Sequence, residues 1–498
     1  MNVNPITRLD YPDPDVIRVE DTYYMVSTTM HFMPGCEILQ SFDLVHWEHV
    51  TYVYETLDHT DAQQLKSGQN IYGQGMWAAS LRYHEGRFYI CFVANDTRKT
   101  YLYTSEKIDG PWKKQLIEGF YHDGSLLFDE DGRNYIVYGN DEIWITELNE
   151  DLTAPKKDGL HRLLVSDHKN PELGYEGSHI QKINGYYYIF LIHSLRDRWM
   201  RTEACFYSDS LEGEFTGGDV LCDDRGYCGQ GVAQGGIVGT PDGKWYAMLF
   251  QDSGAVGRIP ILLPVTWKDH FPVFGQNGHV PEEIEVHSTR PGYIYQPLVG
   301  SDDFCNGLLP RWQFNHDPDP RYYHLDALQG TYTITTREVC TELTQAVNTL
   351  TQRMSYPSCA AEVTVDASAL KEGDVAGLCA LQSCYAAVGI TKHHGKYEVL
   401  MLDKKEDGIL DMTEGTVVES HQMDFRLEAD FCNMKDEARC YYRVNKGDWL
   451  PIGTVHKLYF KLDHFTGCRF GLFCYAAEET GGSACFRDFK YYDVDEIS

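Results

Sequence analysis

The sequence predicts an all-β protein, a five-bladed β-propeller over residues 1–297 followed by a β-sandwich over 303–498, and three observations carry that reading. Composition is the first: 34 Tyr, 22 Phe and 9 Trp stand with 44 Gly in 498 residues, a mixture that favours short strands joined by tight turns. The second is a hairpin unit that recurs five times in the first half. The third is the end of that recurrence at RPGYIYQPLVGSDDF (290–304), beyond which alternating strands follow without a repeat.

The five copies are VEDTYYMVS (19–27), HEGRFYICF (84–92), DEDGRNYIVYG (129–139), KINGYYYIFL (182–191) and TPDGKWYAMLF (240–250). Each places Gly, Asp or Asn at the bend between aromatic and β-branched runs, which is a hairpin signal. Aligned on Asp21, Gly86, Gly132, Gly185 and Gly243, the bends recur at intervals of roughly 46 to 65 residues, the length of a four-stranded blade with variable loops. The strand entering each hairpin should start near the central axis. Nine residues before the bend stand Trp77, Asp123, Glu176 and Gln234, and eight before the first stands Asp13. Equivalent positions in a propeller converge, so these side chains are expected at one mouth of the axial channel.

Each of these acids has a plainer reading when taken singly. Asp13 opens YPDPD (11–15), and aspartate beside proline is common in turns. HDPDP at 316–320 repeats the pattern with no hairpin after it, so the motif alone marks nothing and its place in the repeat carries the inference. Asp123 in YHDGS and Glu176 in GYEGSH would each pass as a turn or loop acid. Three carboxylates at one equivalent place in three of five blades point to a shared site. Trp77, at the same level, reads either as core or as a platform for a ligand.

In the second half, AAEVTVDAS, AAVGITKHHGKYEVLML, RLEADF, KLYFKLDHF and RFGLFCYAA alternate as short antiparallel strands, closing on ACFRDFKYYDV. About 195 residues of this kind suggest a sandwich packing on the propeller.

Charge and motif content exclude several functions. A formal charge of −31, from 43 basic against 74 acidic side chains, would repel a phosphate backbone, so nucleic acid is not an expected partner. No apolar run is long enough to span a bilayer and none near the start has signal-peptide form, so the expectation is a cytoplasmic protein with no membrane partner. The 15 cysteines are odd in number and form no C-x-x-C pair, which reads as reduced thiols. DEDG (129–132) begins like a calcium loop but lacks the rest of the twelve-residue pattern. No H-E-x-x-H, G-x-S-x-G or P-loop motif is present.

In order along the chain, YPDPDVIRVEDTYYMVSTT, HFMPGCEILQSFDLVHWE, GMWAASLRYHEGRFY, HDGSLLFDEDGRNYIVYG, YEGSHIQKINGYYYI and GRIPILLPVTWKDHFPV make the first domain resemble glycoside hydrolase family 43. The second half is similar to the concanavalin-like sandwich appended to many β-xylosidases of that family. The resemblance implies a hydrolase that removes xylose or arabinose with inversion, needing no cofactor. It implies Asp13 as general base, Glu176 as general acid and Asp123 as the residue that tunes the acid. It implies Arg258 and Gln234 as sugar contacts, and Trp77 with Met30, His31 and Phe32 as pocket walls. Many relatives carry a histidine near an axial calcium where this chain has Gln234, so a metal is left open. The sandwich of such relatives lends a loop to the pocket, which the sequence does not locate.

Inversion needs a protonated carboxyl at the leaving oxygen and an ionised carboxylate holding water on the opposite face, roughly 6.5 to 9.5 Å apart. Asp123 beside Glu176 is expected to raise the acid through like-charge repulsion, with Arg258 limiting the cost of the gathered negative charge. The expected partner is a small oligosaccharide ending in β-D-xylose or α-L-arabinofuranose. A non-catalytic sugar-binding propeller and another five-bladed glycosidase or phosphorylase are the alternatives. The preferred pentose and the oligomeric state stay open.

Overall fold

The computed structural model describes residues 2–413, 415–461 and 464–493. All five repeat hairpins are the inner two strands of five antiparallel sheets arranged as propeller blades. Blade 1 runs Asp15–Val19, Thr22–Val26, Gly35–Ser41 and Glu48–Tyr54; blade 2 runs Met76–His84, Arg87–Ala94, Lys99–Ser105 and Lys113–Ile117. Blade 3 starts at Ser125–Phe128 and Asn134–Asn140, and blade 4 at Glu176–Ile183 and Tyr186–Ser194. The inner strand of blade 5 is broken into Val232–Ala233 and Ile237–Gly239, both paired to Trp245–Asp252. The break falls where Gln234 takes φ 60° and where a Cβ on Gly235 would lie 1.8 Å from the Met248 carbonyl oxygen.

Neighbouring blades pack through apolar faces that the period-2 pattern supplies, as where Ile38 and Val26 meet Leu81, Ile90 and Phe92. The ring closes near the chain start: Asn2–Val3 pairs with Glu283–Ile284, and the Tyr11 N–H donates to the Arg258 carbonyl at 2.9 Å. A polar plug crosses the axis below the site. Arg82 of blade 2 reaches Asp15 of blade 1 at 2.8 Å, Ser125 of blade 3 at 2.6 Å and the Ile180 carbonyl of blade 4 at 3.2 Å. Burial would raise Asp15, but Arg82 and His179 outweigh it and hold the carboxyl at about 2.

The second half forms two packed antiparallel sheets of nine and seven strands around a continuous apolar core. Its larger sheet gains its outermost strand from the propeller: Phe32–Met33 pairs with Gln313–Asn315. Charge pairs reinforce that seam. Arg353 of the sandwich bonds Glu37 at 2.8 Å and stacks 4.2 Å over the Tyr11 ring, while Arg469 lies 3.5 Å over the Phe32 ring. Ten of the fifteen cysteines are buried and none is paired.

Candidate active site

The five equivalent positions lie where the inner strands begin, and the backbone prepares four of them. Asp13 (φ 53°), Asp123 (φ 48°) and Gln234 (φ 60°) share the left-handed region just before their strands, and Gly177, next to Glu176, has φ 65°. That conformation is sparsely populated by side-chain-bearing residues and turns each side chain out of the strand pleat toward the mouth.

On one side stands Asp13, 2% exposed. Its Oδ1 accepts from Arg258 Nη1 at 2.6 Å and its Oδ2 from the Thr28 hydroxyl at 2.5 Å. Arg258 is itself fixed: its Nε reaches Asp252 at 3.2 Å and its backbone N–H donates to Asp10 at 2.8 Å. Asp252, fully buried, also takes the Arg201 Nε at 2.6 Å, so two arginines share one carboxylate behind Asp13.

Across from it, Asp123 Oδ2 accepts the Gly177 N–H at 2.9 Å, which ties the third blade to the fourth beside Glu176. Glu176 Oε2 accepts from Asn140 Nδ2 at 2.8 Å. Between the two carboxylates lies His122, whose Nε2 is 3.5 Å from Asp123 Oδ2 and 3.4 Å from Glu176 Oε2. Burial would lower His122, but the charge of Asp123, then the bond to and charge of Glu176, outweigh it and lift the imidazole to about 9. Burial pushes Asp123 up to about 6, helped by the charges of Glu176 and Asp13 and opposed by His122. Burial also pushes Glu176 up, yet the His122 hydrogen bond and the positive charges of His122, Arg201 and Arg258 prevail, and the carboxyl lies below its ordinary range. This corrects the expectation that repulsion from Asp123 raises Glu176. In the free site His122 carries the proton between the two carboxylates, and Asp123 gains one only as the pH falls toward 6. The three charges sense one another, since Asp13 acts on both His122 and Asp123.

Trp77 stands at the mouth, its ring centroid 6.3 Å from that of His122, on a strand bulged between Trp77 and Ser80. Gln234 lies against Gly177, where an added Cβ would come 2.7 Å from the Gln234 side chain, and its N–H donates to Glu203 at 2.7 Å. Met30 pairs with Met76 through the backbone and takes the Thr466 hydroxyl on its sulfur at 3.5 Å. His31 and Phe32, expected in the pocket wall, are 0% and 1% exposed. His31 packs among Tyr72, His316 and His464, and Phe32 lies under Arg469, because the strand that carries them was drawn into the sandwich sheet. They build the domain seam.

The sandwich loop that the sequence does not locate is the one bearing Phe465. Its ring is 5.2 Å from Trp77 in an edge-on arrangement and 3.8 Å from the Arg258 guanidinium carbon. The adjacent Gly467 permits the approach, since a Cβ there would lie 2.0 Å from the Val256 carbonyl oxygen. Sequence reading also passed over His122, Asn140, Arg201 and Asp252. Only His122 carried a signal, as the neighbour of Asp123.

Among the described residues, His122, Asp123 and Glu176 are the one group of three or more His, Cys, Asp or Glu side chains with donor atoms within 4.8 Å of one another. A ring nitrogen with two oxygens already engaged by Gly177 and Asn140 does not suit calcium, which takes six to eight oxygens. A cavity of about 550 Å³ opens at the far ends of the same inner strands, lined by Arg18, Arg82, Phe128, Lys182 and Trp245, and none of the three carboxylates borders it.

The chain is similar to known proteins in both halves. The model of glycosyl hydrolases family 43 matches residues 3–272, and that of the β-xylosidase C-terminal concanavalin A-like domain matches 301–492. A β-xylosidase of Formosa agariphila is 26% identical, covering 99% of this chain and 89% of its own length. A non-reducing end α-L-arabinofuranosidase of Bacteroides ovatus is 24% identical over 82% of this chain and 79% of its own. The solved structure of a bifunctional GH43-CE protein of Bacteroides eggerthii is 42% identical with a TM-score of 0.92; it covers all of this chain, which spans 64% of that protein. With more than half its length matched, with five blades and with a sandwich of the matching kind, the chain belongs to glycoside hydrolase family 43.

Proposed function

We propose that this glycosidase releases a terminal β-D-xylose or α-L-arabinofuranose from short oligosaccharides with inversion, Asp13 acting as base and Glu176 as acid. One observation carries the reading: two carboxylate stations face one mouth under different control, Asp13 fixed by Arg258 and Thr28, and Glu176 held by the His122 imidazole and the Asn140 amide beside Asp123. Asp13 draws a proton from water, whose oxygen attacks the anomeric carbon as the glycosidic bond breaks. Glu176 gives a proton to the departing oxygen. No cofactor enters the chemistry. The two pentoses are those on which the named relatives act, and Trp77 with Phe465 offers the apolar face that a pyranose or furanose ring needs.

Because the free site keeps Glu176 low, the acid is loaded as substrate binds. The sugar displaces water around Glu176, which favours its neutral form, and the carboxyl takes a proton from solvent on the oxygen that His122 and Asn140 leave free. A second reading gives the acid role to Asp123, which already sits at about 6. Access favours Glu176: its side chain is 19% exposed against 7% for Asp123, whose Oδ2 is turned to the Gly177 N–H.

Glu176→Gln tests this. It should slow xylobiose cleavage by about 10³-fold while sparing far more of the rate on a dinitrophenyl xyloside, whose leaving group needs no proton. Equal losses on both substrates, or a first-formed product that NMR shows with retained configuration, would overturn the division of roles.

A further inference from the structure

The second strand of blade 3 ends in Gly139 and Asn140, and the next residue is Asp141. The Gly139 N–H donates to the His122 carbonyl at 3.0 Å, and the Asp141 N–H donates to the Tyr175 carbonyl at 2.9 Å. Asn140 is therefore held between the segment that delivers Asp123 and the segment that delivers Glu176. Two glycines permit this close packing: a Cβ on Gly139 would lie 1.9 Å from the Glu142 carbonyl oxygen, and one on Gly174, the residue before Tyr175, would lie 1.8 Å from Asp141 Oδ1. The side chain so placed is exposed and makes one directed contact, Nδ2 to Glu176 Oε2 at 2.8 Å. An ionised carboxylate only accepts, so it is the amide nitrogen that faces it. His122 Nε2 approaches the same oxygen.

We propose that Asn140 is a positioning residue for the acid: with His122 it occupies Glu176 Oε2, so that Oε1 is the oxygen that carries the proton to the departing oxygen. The argument rests on Glu176 being the acid. Two N–H donors aimed at Oε2 leave that oxygen no place for a proton. They also fix the carboxyl plane, so that Oε1 keeps one direction through the reaction. Without Asn140 the carboxyl can turn about its last bond and present either oxygen, and the rate of proton delivery falls while sugar binding stays.

The test compares Asn140→Ala, Asn140→Gln and Glu176→Gln in the full chain, on xylobiose and on a dinitrophenyl xyloside. For Asn140→Ala, kcat on xylobiose should fall about 10- to 100-fold, part of the roughly 10²–10⁴ that a positioned acid supplies. KM should hold within about twofold, and the rate on the dinitrophenyl substrate within about threefold. Asn140→Gln, which keeps an amide donor, should recover part of the loss, and the melting temperature of both should match that of the unaltered protein. A loss equal on the two substrates, a loss in KM alone, or no loss on xylobiose would each overturn the proposal. If Glu176→Gln discriminates between the substrates and Asn140→Ala does not, only the role of Asn140 falls. If Glu176→Gln fails to discriminate, the acid assignment falls and Asn140 with it.

Discussion

The two halves of the site solve opposite problems. Around Asp13 the partners are one arginine, Arg258, whose charge does not titrate at any working pH, and the Thr28 hydroxyl. Around Glu176 the partners are an imidazole and a second carboxyl, both shifted into the range where protons come and go. Permanent charge therefore fixes the Asp13 side, and groups that exchange protons line the Glu176 side. The difference teaches that Asp123 does not act on Glu176 by simple repulsion: its charge raises His122, and the imidazole holds the Glu176 carboxyl low.

Asp13→Asn attacks the fixed half and should have the largest effect. Turnover of natural and activated substrates alike should drop by on the order of 10³-fold or more, because no other group can take the proton from water. Steady-state rates on xylobiose and a dinitrophenyl xyloside check this, and a variant that keeps a few per cent of activity while folded would remove Asp13 from the role. Its burial beside Arg258 sets a second cost, since an uncompensated buried charge typically costs about 3–5 kcal/mol, although Asp252 still faces that arginine.

Phe465→Ala sharpens the comparison from outside both halves, because the ring touches Arg258 on the base side and Trp77 on the mouth. Its loss should raise KM about 10-fold, the equivalent of about 1.4 kcal/mol, with a smaller change in kcat. A fall in kcat with KM unchanged would mean that the ring orients Arg258 and contributes nothing to holding sugar.

Asp123→Asn tests the shared half and should move a titration more than a rate. The Asp123 charge is the largest influence raising His122, so its removal should bring the imidazole down from about 9 toward 6.5. The imidazolium would then persist only at lower pH, and histidine C–H resonances followed by NMR through pH 5–10 would show it. A midpoint that stays near 9 would assign the shift to Glu176 instead.

The architecture was legible because it repeats. Five bends at similar spacing fix where an inner strand begins, so Asp13, Asp123 and Glu176 could be aligned across more than 160 positions without any contact being known. What lay outside the repeat was not legible. Phe465 meets Trp77 across nearly four hundred residues and two domains, and nothing in FTG at 465–467 marks the approach except a glycine. The family resemblance put His31 and Phe32 in the pocket wall. Their setting depends on a partner strand near residue 314, and strand partners are not written in local sequence. The protonation of Glu176 was misread for a related reason. Counting carboxylates gives the repulsion, but the imidazole between them is recognisable only once the side chains are placed.

The strand at Phe32–Met33 has a consequence for how such an enzyme can change over time. Two domains joined by a flexible tether can be reshuffled freely, each tolerating a new neighbour. Here the propeller supplies an outer strand to its neighbour's sheet, and the neighbour supplies a ring to the catalytic mouth. Replacing the sandwich by another of similar shape would leave a backbone edge unpaired and open the mouth in one event. An exchanged sandwich would have to bring both a strand to pair with Phe32–Met33 and a ring to meet Trp77.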